Sequence, residues 1–344
     1  MEAKSPHTDN APRPKTDLLK LLLALLLGIG LLWLAFKDSD FGAILESLKT
    51  INLFYLVLVF VTGLLSHIVR AVRWIWLLKP VAEKPVSLWN SFYAVIVGYA
   101  VNVAIPRGGE VARLVAISKM EKLPWAAVLP TMFIDRLLDI ASLVILIGLS
   151  LTVLPPELLA QYPTLVPGGV TMLIASLIAL ALLPFGHKII SWFLSLALIK
   201  KFLPEKLREK LAEISSQFDK GTKSLLDPLA YPVIGFFTSI MWLLYGLNFY
   251  LMLFAFHIQD KVGIKNCLIT FTIGSAGNLI PTPGTAGTFH VLVKEALVKT
   301  ADLDPNLALA YATVLHLMCF VIVTCVPAAI CVLLNGMINK EKDS

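Results

Sequence analysis

The sequence predicts an all-α protein that crosses a membrane several times and carries two broken helical hairpins among its spans. Three observations support this prediction. The chain of 344 residues is 57% hydrophobic and 15% charged, with a mean hydropathy of +0.80, which exceeds the apolar content of soluble domains. Several apolar runs reach the roughly 18 to 20 residues that span about 30 Å of hydrocarbon. Two runs are interrupted by proline and glycine, and charged residues accompany the first interruption.

The apolar runs give the order of the elements along the chain. A polar tail with basic residues, 1–17, precedes the first run, and no small-residue cleavage site follows it. We therefore expect a cytoplasmic tail and an uncleaved first transmembrane helix at 18–36. Counts of lysine and arginine near the run ends place both termini on the cytoplasmic side of an inner membrane. The apolar runs are 18–36, 52–79, 88–105, 123–154, 166–186, 229–257, 266–281 and 306–335.

Two segments, 88–118 and 266–300, are interrupted too strongly to cross as single helices. Each has a short apolar half, then a break rich in proline and glycine, then a second short half. The lysine and arginine residues near the run ends stay on the cytoplasmic side if each segment enters and leaves the membrane on the same side. This predicts six full spans and two re-entrant hairpins, and eight complete transmembrane crossings remain as the alternative.

The two breaks resemble each other, which indicates an internal repeat. Gly98–Gly109 and Gly274–Gly287 both contain a glycine, an asparagine four positions later, and then proline followed by glycine. The same offset of 176 residues also brings the neighbouring apolar runs into register. We expect repeat 1 over 52–154 and repeat 2 over 229–335 in opposite orientations, which is a transporter architecture.

The segment between the repeats, 166–227, combines a further span with an amphipathic helix. Its second part alternates apolar and charged faces, because apolar residues recur there at helical spacing. These apolar positions are Leu203, Leu207, Leu211, Ile214 and Phe218. The pattern predicts a cytoplasmic helix in the plane of the lipid headgroups, and a soluble helix packed on neighbouring loops is the alternative.

Eight ionisable residues lie within or beside the apolar first half. They are Arg70, Arg73, Arg107, Glu110, Arg113, Asp135, Arg136 and Asp139. Charges at bilayer depth are costly and usually face one another or a polar cavity. Since five arginines stand against three carboxylates, some arginines lack a carboxylate of their own. We expect Arg73, Arg107 and Arg113 to bind the phosphate of a lipid through paired N–H donors.

The other ionisable residues are expected to form a charge network or to couple to protons. They are Glu110, Asp135, Arg136 and Asp139, together with His290 beyond the second break. The alternative is structural: arginine–carboxylate pairs would hold the first hairpin to the spans, and His290 would make an ordinary polar contact.

Four uncharged residues at the breaks are expected to shape the point where a ligand crosses. Asn102 and Asn278 each offer a donor and an acceptor for backbone groups that a broken helix leaves unpaired. Gly109 and Gly284 open the half-helix that follows each break, where exposed N–H groups and the helix dipole favour an anion. For the asparagines, a purely structural role is the alternative.

At these residues the sequence resembles the flippase-like membrane part of lysylphosphatidylglycerol synthases and its stand-alone relatives. The resemblance extends from about residue 18 over nearly the whole chain and rests on the order and spacing of four motifs. These are R-A-x-R-W (Arg70–Trp74), G-x-x-x-N-x-x-x-P-R-G-G-E-x-x-R (Gly98–Arg113), D-R-x-x-D (Asp135–Asp139) and P-T-P-G-T-A-G (Pro281–Gly287).

The resemblance implies movement of lipids such as aminoacylated phospholipids or isoprenoid-type lipids between leaflets. It implies no aminoacyl transfer, because the soluble transferase domain of the full synthases is not expected in a chain that stops at Ser344. One motif departs from the family pattern P-G-G-x-G-x-x-E, since Thr285 replaces a glycine and His290 replaces the acidic residue.

These observations together favour a translocator or binder of an amphipathic, anionic lipid, with membrane lipids as its partners. The net charge of +6 is assigned to membrane orientation and headgroups, and nucleic acid is not an expected partner. No metal or other cofactor is expected, because the four cysteines form no C-x-x-C pair and no nucleotide-binding motif occurs. An intramembrane enzyme using Asp135, Asp139 or Glu110, a non-catalytic partner of a lipid-modifying enzyme, and a homo-oligomer stay open.

Overall fold

The protein is helical throughout the part that the computed structural model describes. This part comprises residues 18–154, 164–182, 205–223 and 230–343, with a few single residues between these ranges. No strand occurs in these ranges, and the predicted all-α, polytopic membrane fold is confirmed. The predicted tail, 1–17, lies outside the described residues, as does the start of the predicted amphipathic helix at Leu203.

In the described part of the chain the helices follow the apolar runs closely, with one short helix that the runs do not indicate. This extra helix, α2, begins at Phe41 because the Asp40 side chain accepts hydrogen bonds from the first backbone N–H groups. The helices are α1 (Leu18–Phe36), α2 (Phe41–Lys49), α3 (Leu53–Leu78), α4 (Leu88–Ala104), α5 (Gly108–Met120), α6 (Trp125–Leu151), α7 (Leu165–Leu182), α8 (Glu205–Thr222), α9 (Ala230–Ala255), α10 (Gln259–Ala276), α11 (Thr288–Ala301), α12 (Pro305–His316) and α13 (Val323–Asp343).

Within the described residues, three helical stretches are long and apolar enough to cross a bilayer by length and composition. They are α3, α9 and the continuous helix Pro305–Met337, which joins α12 to α13 through a π-helical turn at Leu317–Ile322. Helix α6 has 27 residues, a similar length, but it carries the D-R-x-x-D charges in its middle. The chain is therefore an integral membrane protein, while the predicted membrane sides of its segments stay predictions.

The first break separates α4 from α5, which fold back against each other. Arg107 forms the turn in the left-handed backbone region with φ 60°. Glycine is required where the two arms touch, because a Cβ atom on Gly109 would lie 1.9 Å from the carbonyl oxygen of Gly98. The Asn102 side chain accepts a hydrogen bond of 2.8 Å from the Gly109 N–H, which satisfies one backbone donor at the start of α5.

The second break separates α10 from α11 and is longer. Two 3₁₀ turns, Gly277–Leu279 and Pro283–Thr285, fill the interval. Gly284 and Gly287 have positive φ angles of +53° and +81°, which glycine adopts without strain from a side chain. A Cβ atom on Gly287 would lie 2.6 Å from the carbonyl oxygen of Gly28, so α1 packs directly over this break.

Packing between the two halves of the chain is reciprocal. The first span of each half packs against the other, as α3 lies along α9. The α4 arm of the first hairpin packs on α13 of the second half, and the α10 arm of the second hairpin packs on α6 of the first. The internal repeat and the opposite membrane orientation of its two copies stay predictions.

The amphipathic helix α8 packs against the first half of α6. The two backbones approach closely at Gly221, where an added Cβ atom would lie 2.1 Å from the carbonyl oxygen of Ala127 and 2.3 Å from the Pro130 ring. Helix α8 therefore rests on α6, and its position relative to the headgroups stays a prediction.

Replacing Gly109 with alanine should destabilise the first hairpin. The added methyl group would overlap the Gly98 backbone, and overpacking of this kind costs about 1–3 kcal/mol. Thermal unfolding of the purified protein in detergent should show a lower Tm. The matched control is Gly148→Ala on α6, where a Cβ atom meets nothing within 4 Å. Equal melting temperatures for the two variants would contradict the close contact.

Candidate functional site

A buried cluster of arginine and aspartate residues joins α3 to α6. Arg70 donates to Asp135 at 2.8 Å and to Asp139 at 2.6 Å. Arg73 donates to the same two carboxylates at 2.5 and 2.9 Å. The pairs form because Arg70 and Arg73 are three residues apart and Asp135 and Asp139 four apart, so each pair occupies one helix face.

Arg113 brings the second arm of the first hairpin into this cluster. Its Nη1 atom donates to Asp135 Oδ2 at 2.8 Å, and its guanidinium lies 3.7 Å from the centre of the Trp74 ring. Trp74 itself donates to Thr131 at 3.0 Å. Asp135 thus accepts hydrogen bonds from three arginines on two elements.

The cluster contains more positive than negative charge. Three arginines, Arg70, Arg73 and Arg113, face two aspartates. The Nε and Nη2 atoms of Arg113 are buried without a hydrogen-bond partner, while Arg113 as a whole is only 6% exposed. Buried donors without partners are costly, more so on a charged group. An acceptor that reached Arg113 would therefore be bound strongly.

A small cleft opens next to Arg113. It lies between the hairpin arms and α6 and is lined by Val95, Gly98, Tyr99, Asn102, Gly109, Glu110, Arg113 and Arg136. Glu110 and Arg136 form an ion pair in its wall, with side chains 33% and 43% exposed. The cleft has a volume of about 10 Å³, which is room for a single water molecule. In this conformation the cleft is closed to a lipid headgroup.

The predicted phosphate ligands occupy three different environments. Arg113 lies at the cleft with free donors, whereas Arg73 is 0% exposed and is enclosed by the two aspartates and by Thr238, to which it donates at 3.1 Å. Arg107 is exposed on the turn of the hairpin and has no ion pair within the described part of the chain. Arg107 is therefore accessible in this fold, whereas Arg113 borders a cleft too small for a phosphate group and Arg73 is enclosed by its aspartate contacts.

The predicted residues of the second break lie apart from the cleft. Asn278 is exposed and does not line it. Gly284 approaches the first break instead, since a Cβ atom at Gly284 would lie 3.4 Å from the Cα and carbonyl oxygen of Val103. His290 is buried behind the break and faces His316. The structure therefore brings the two breaks into contact but places one set of ionisable residues at each.

Several residues that complete the site are not predicted by any sequence pattern or are predicted only weakly. Trp74 stacks on Arg113, Thr238 of α9 receives Arg73, and His316 pairs with His290. Of these residues, only Trp74 could be singled out from the sequence, because it ends the R-A-x-R-W motif. Thr238 and His316 lie far along the chain from the residues they contact, and their helices are uniformly apolar in pattern.

The guanidinium groups of the cluster are suited to binding an anion. No group of three or more histidine, cysteine, aspartate or glutamate side chains that could hold a metal occurs among the described residues. Guanidinium groups present fixed forks of N–H donors that match the oxygens of phosphate and carboxylate. Tyr99 and Asn102 add neutral polar surface to the cleft.

Comparison with known proteins gives one match. A family model described as the lysylphosphatidylglycerol synthase TM region matches residues 21–326, which is most of the chain and includes both breaks and the charge cluster. No curated protein and no solved structure matches the chain significantly.

Replacing Asp135 with asparagine should destabilise the protein strongly. The substitution removes the shared charge partner of three buried arginines, and breaking a buried ion pair costs about 3–5 kcal/mol. Unfolding temperature and yield of monodisperse protein in detergent measure the effect.

The comparison variant for this experiment is Glu110→Gln. It also removes one carboxylate charge from an arginine pair, but from a pair that is partly exposed, for which about 1 kcal/mol or less is expected. If Asp135→Asn is no less stable than Glu110→Gln, the cluster does not hold α3, α5 and α6 together.

Proposed function

The chain belongs to the family of the lysylphosphatidylglycerol synthase TM region, and on this premise we propose that it translocates an anionic membrane lipid between leaflets. The family relates the chain to membrane lipids. The lipid would be a phospholipid or an isoprenoid-type lipid whose tails stay in the bilayer. Its headgroup would enter the cleft between the first hairpin and α6.

One observation carries the proposal most directly: a surplus cation lies beside a closed cleft inside an apolar helical bundle. Arg113 is 6% exposed and keeps two donor atoms without partners. A phosphate oxygen would satisfy both donors and neutralise the surplus charge. A ligand that supplies negative charge together with apolar tails fits both the cleft and its surroundings.

The wall of the cleft supplies a route for the headgroup. The Glu110–Arg136 pair is partly exposed, and exposed ion pairs are weak, at about 0–1 kcal/mol. A phosphate group that entered here would compete with Glu110 for Arg136, and Arg136 and Arg113 would then bind it from two sides. Asn102 and Gly109 position the start of α5 at this point.

The arrangement favours binding over intramembrane acid–base catalysis. Asp135, Asp139 and Glu110, the carboxylates considered for an enzyme, are each held by at least one arginine. In Asp135 and Asp139 both carboxylate oxygens accept from arginine, which leaves neither oxygen free to take a proton from a substrate. The charge distribution along the sequence further supports an inner-membrane location with both termini in the cytoplasm.

Replacing Arg107 with glutamine should slow the exchange of anionic lipid between leaflets by roughly tenfold or more. Arg107 stands exposed on the turn next to the cleft residues, and a charge-assisted hydrogen bond contributes about 1.5–3 kcal/mol. The measurement follows a fluorescent anionic phospholipid in proteoliposomes by reduction of the label in the outer leaflet. A zwitterionic phospholipid is measured in parallel.

The matched control for this experiment is Lys122→Gln. Lys122 is also exposed, basic and in the left-handed backbone region, with φ 55°, but it follows α5 at the end away from the break. Normal exchange in Arg107→Gln, or equal losses in the two variants, would contradict a headgroup contact at the break. Chemical change of the labelled lipid would point to the enzyme alternative.

A further inference from the structure

A buried histidine pair lies behind the second break, outside the arginine cluster and the cleft. His290 is the third residue of α11, His316 is the last residue of α12, and their ring centroids are 4.8 Å apart. Aromatic rings enclose the pair: Phe36 of α1 lies 6.1 Å from His290, and Phe289 and Phe320 lie 5.7 and 5.0 Å from His316. The Nδ1 atom of His290, itself 4% exposed, has no hydrogen-bond partner.

His316 connects this pair to the place where the two breaks touch. Its Nε2 atom lies 2.7 Å from the carbonyl oxygen of Gly284. Because a peptide oxygen only accepts hydrogen bonds, Nε2 carries the hydrogen and donates it. Gly284 lies against the Val103 backbone, and the π-helical turn Leu317–Ile322 follows His316 directly. In such turns the backbone hydrogen bonds join residues five apart instead of four, and the turns are frequent at functional sites.

The charged groups next to the histidines offer no negative partner. Lys294 lies one turn after His290 on α11 and donates to the Ala35 carbonyl oxygen of α1 at 3.0 Å. Glu295 of α11 pairs with Lys299, and Asp304 caps the opposite end of α12 from His316.

Other titratable side chains on the elements packed around the pair are not carboxylates, apart from Asp260, which lies at the end of α10 away from the break. Tyr311 of α12 donates to the Phe249 carbonyl oxygen at 2.7 Å. Cys267 of α10 and Cys319 of the π-helical turn are free thiols. His67 of α3 faces Tyr99 of α4.

We propose that His290 and His316 form a proton-binding site that keeps the two breaks in contact while both rings are neutral and releases them when a ring is protonated. A positive ring in the closed aromatic pocket would have no counter-ion, and burial of such a charge is strongly unfavourable. A state in which the rings reach water binds the proton more tightly, so acid shifts the population towards that state. The site is separate from the proposed lipid cleft and can be tested without lipid.

Hydrogen exchange tests this proposal on the whole protein in detergent. Backbone exchange of the peptide that covers the second break is compared at about pH 7.5 and about pH 5.5, a range that spans histidine titration, after correction for the intrinsic rate. We expect exchange to rise roughly tenfold at the lower pH, the change produced when only the open state binds the proton, with the unperturbed histidine pKa of about 6.5. Unchanged protection between the two conditions would overturn the proposal.

Three variants distinguish the titration of the histidine pair from other effects of low pH on hydrogen exchange. The double variant His290→Phe/His316→Gln keeps an aromatic ring and a donor for Gly284 but cannot titrate, so its acid response should be lost. His290→Arg fixes a positive charge and should raise exchange already at about pH 7.5. His257→Gln removes an exposed histidine and should respond as the parent does. An acid response that persists in the double variant would assign the effect elsewhere, and failure of lipid exchange alone would refute only the proposed function.

Discussion

The fold of this protein depends on the contact of Asp135 with three arginines. One carboxylate on α6 holds Arg70 and Arg73 of α3 and Arg113 of α5. Charges removed from water are tolerated only when they are paired and hydrogen-bonded. The cluster therefore fixes two spans and one hairpin arm at a common point, and the position of the first break follows from it. Because the cluster holds more arginine than aspartate, the same contact that orders the helices leaves a positive charge beside the cleft.

This surplus makes the structural and functional roles of the arginines compatible. Arg70 and Arg73 direct most of their donors to the two aspartates and to α9, while the buried Nε atom of Arg73 has no partner. The main role of these two arginines is to hold α3 to α6. Arg113 makes one ion pair and keeps two donors free, so it both holds α5 to α6 and belongs to the proposed ligand site. A cation held so rigidly before a ligand arrives loses little freedom on binding, which is the advantage of a preorganised site.

Sequence patterns predicted the helical class, the two breaks and the set of ionisable residues, because hydropathy, proline and glycine act locally. They did not predict which residues meet. Arg107 and Arg113 looked equivalent as phosphate ligands, yet Arg107 is exposed on the turn and Arg113 is buried against Trp74. His316 stands in an apolar run with no motif around it, and its contact with His290 arises from the packing of α12 on α11. Such pairings are selected by tertiary packing, which a single sequence does not encode in a local pattern.

The strengths of the contacts indicate where the protein would open. Within the first half, buried ion pairs hold α3, α5 and α6 together. Between the two breaks the described contacts are van der Waals approaches, such as that of Gly284 to Val103, and His316 holds Gly284 from the other side by one hydrogen bond. Domain motions follow the weaker of two interfaces while packed units move as rigid bodies. Separation of the hairpins would therefore leave the arginine cluster intact. The cleft has room for one water molecule and is walled by α4, α5 and α6, so it would enlarge where the Glu110–Arg136 pair in its wall opens, and the lipid phosphate would meet an already ordered cation.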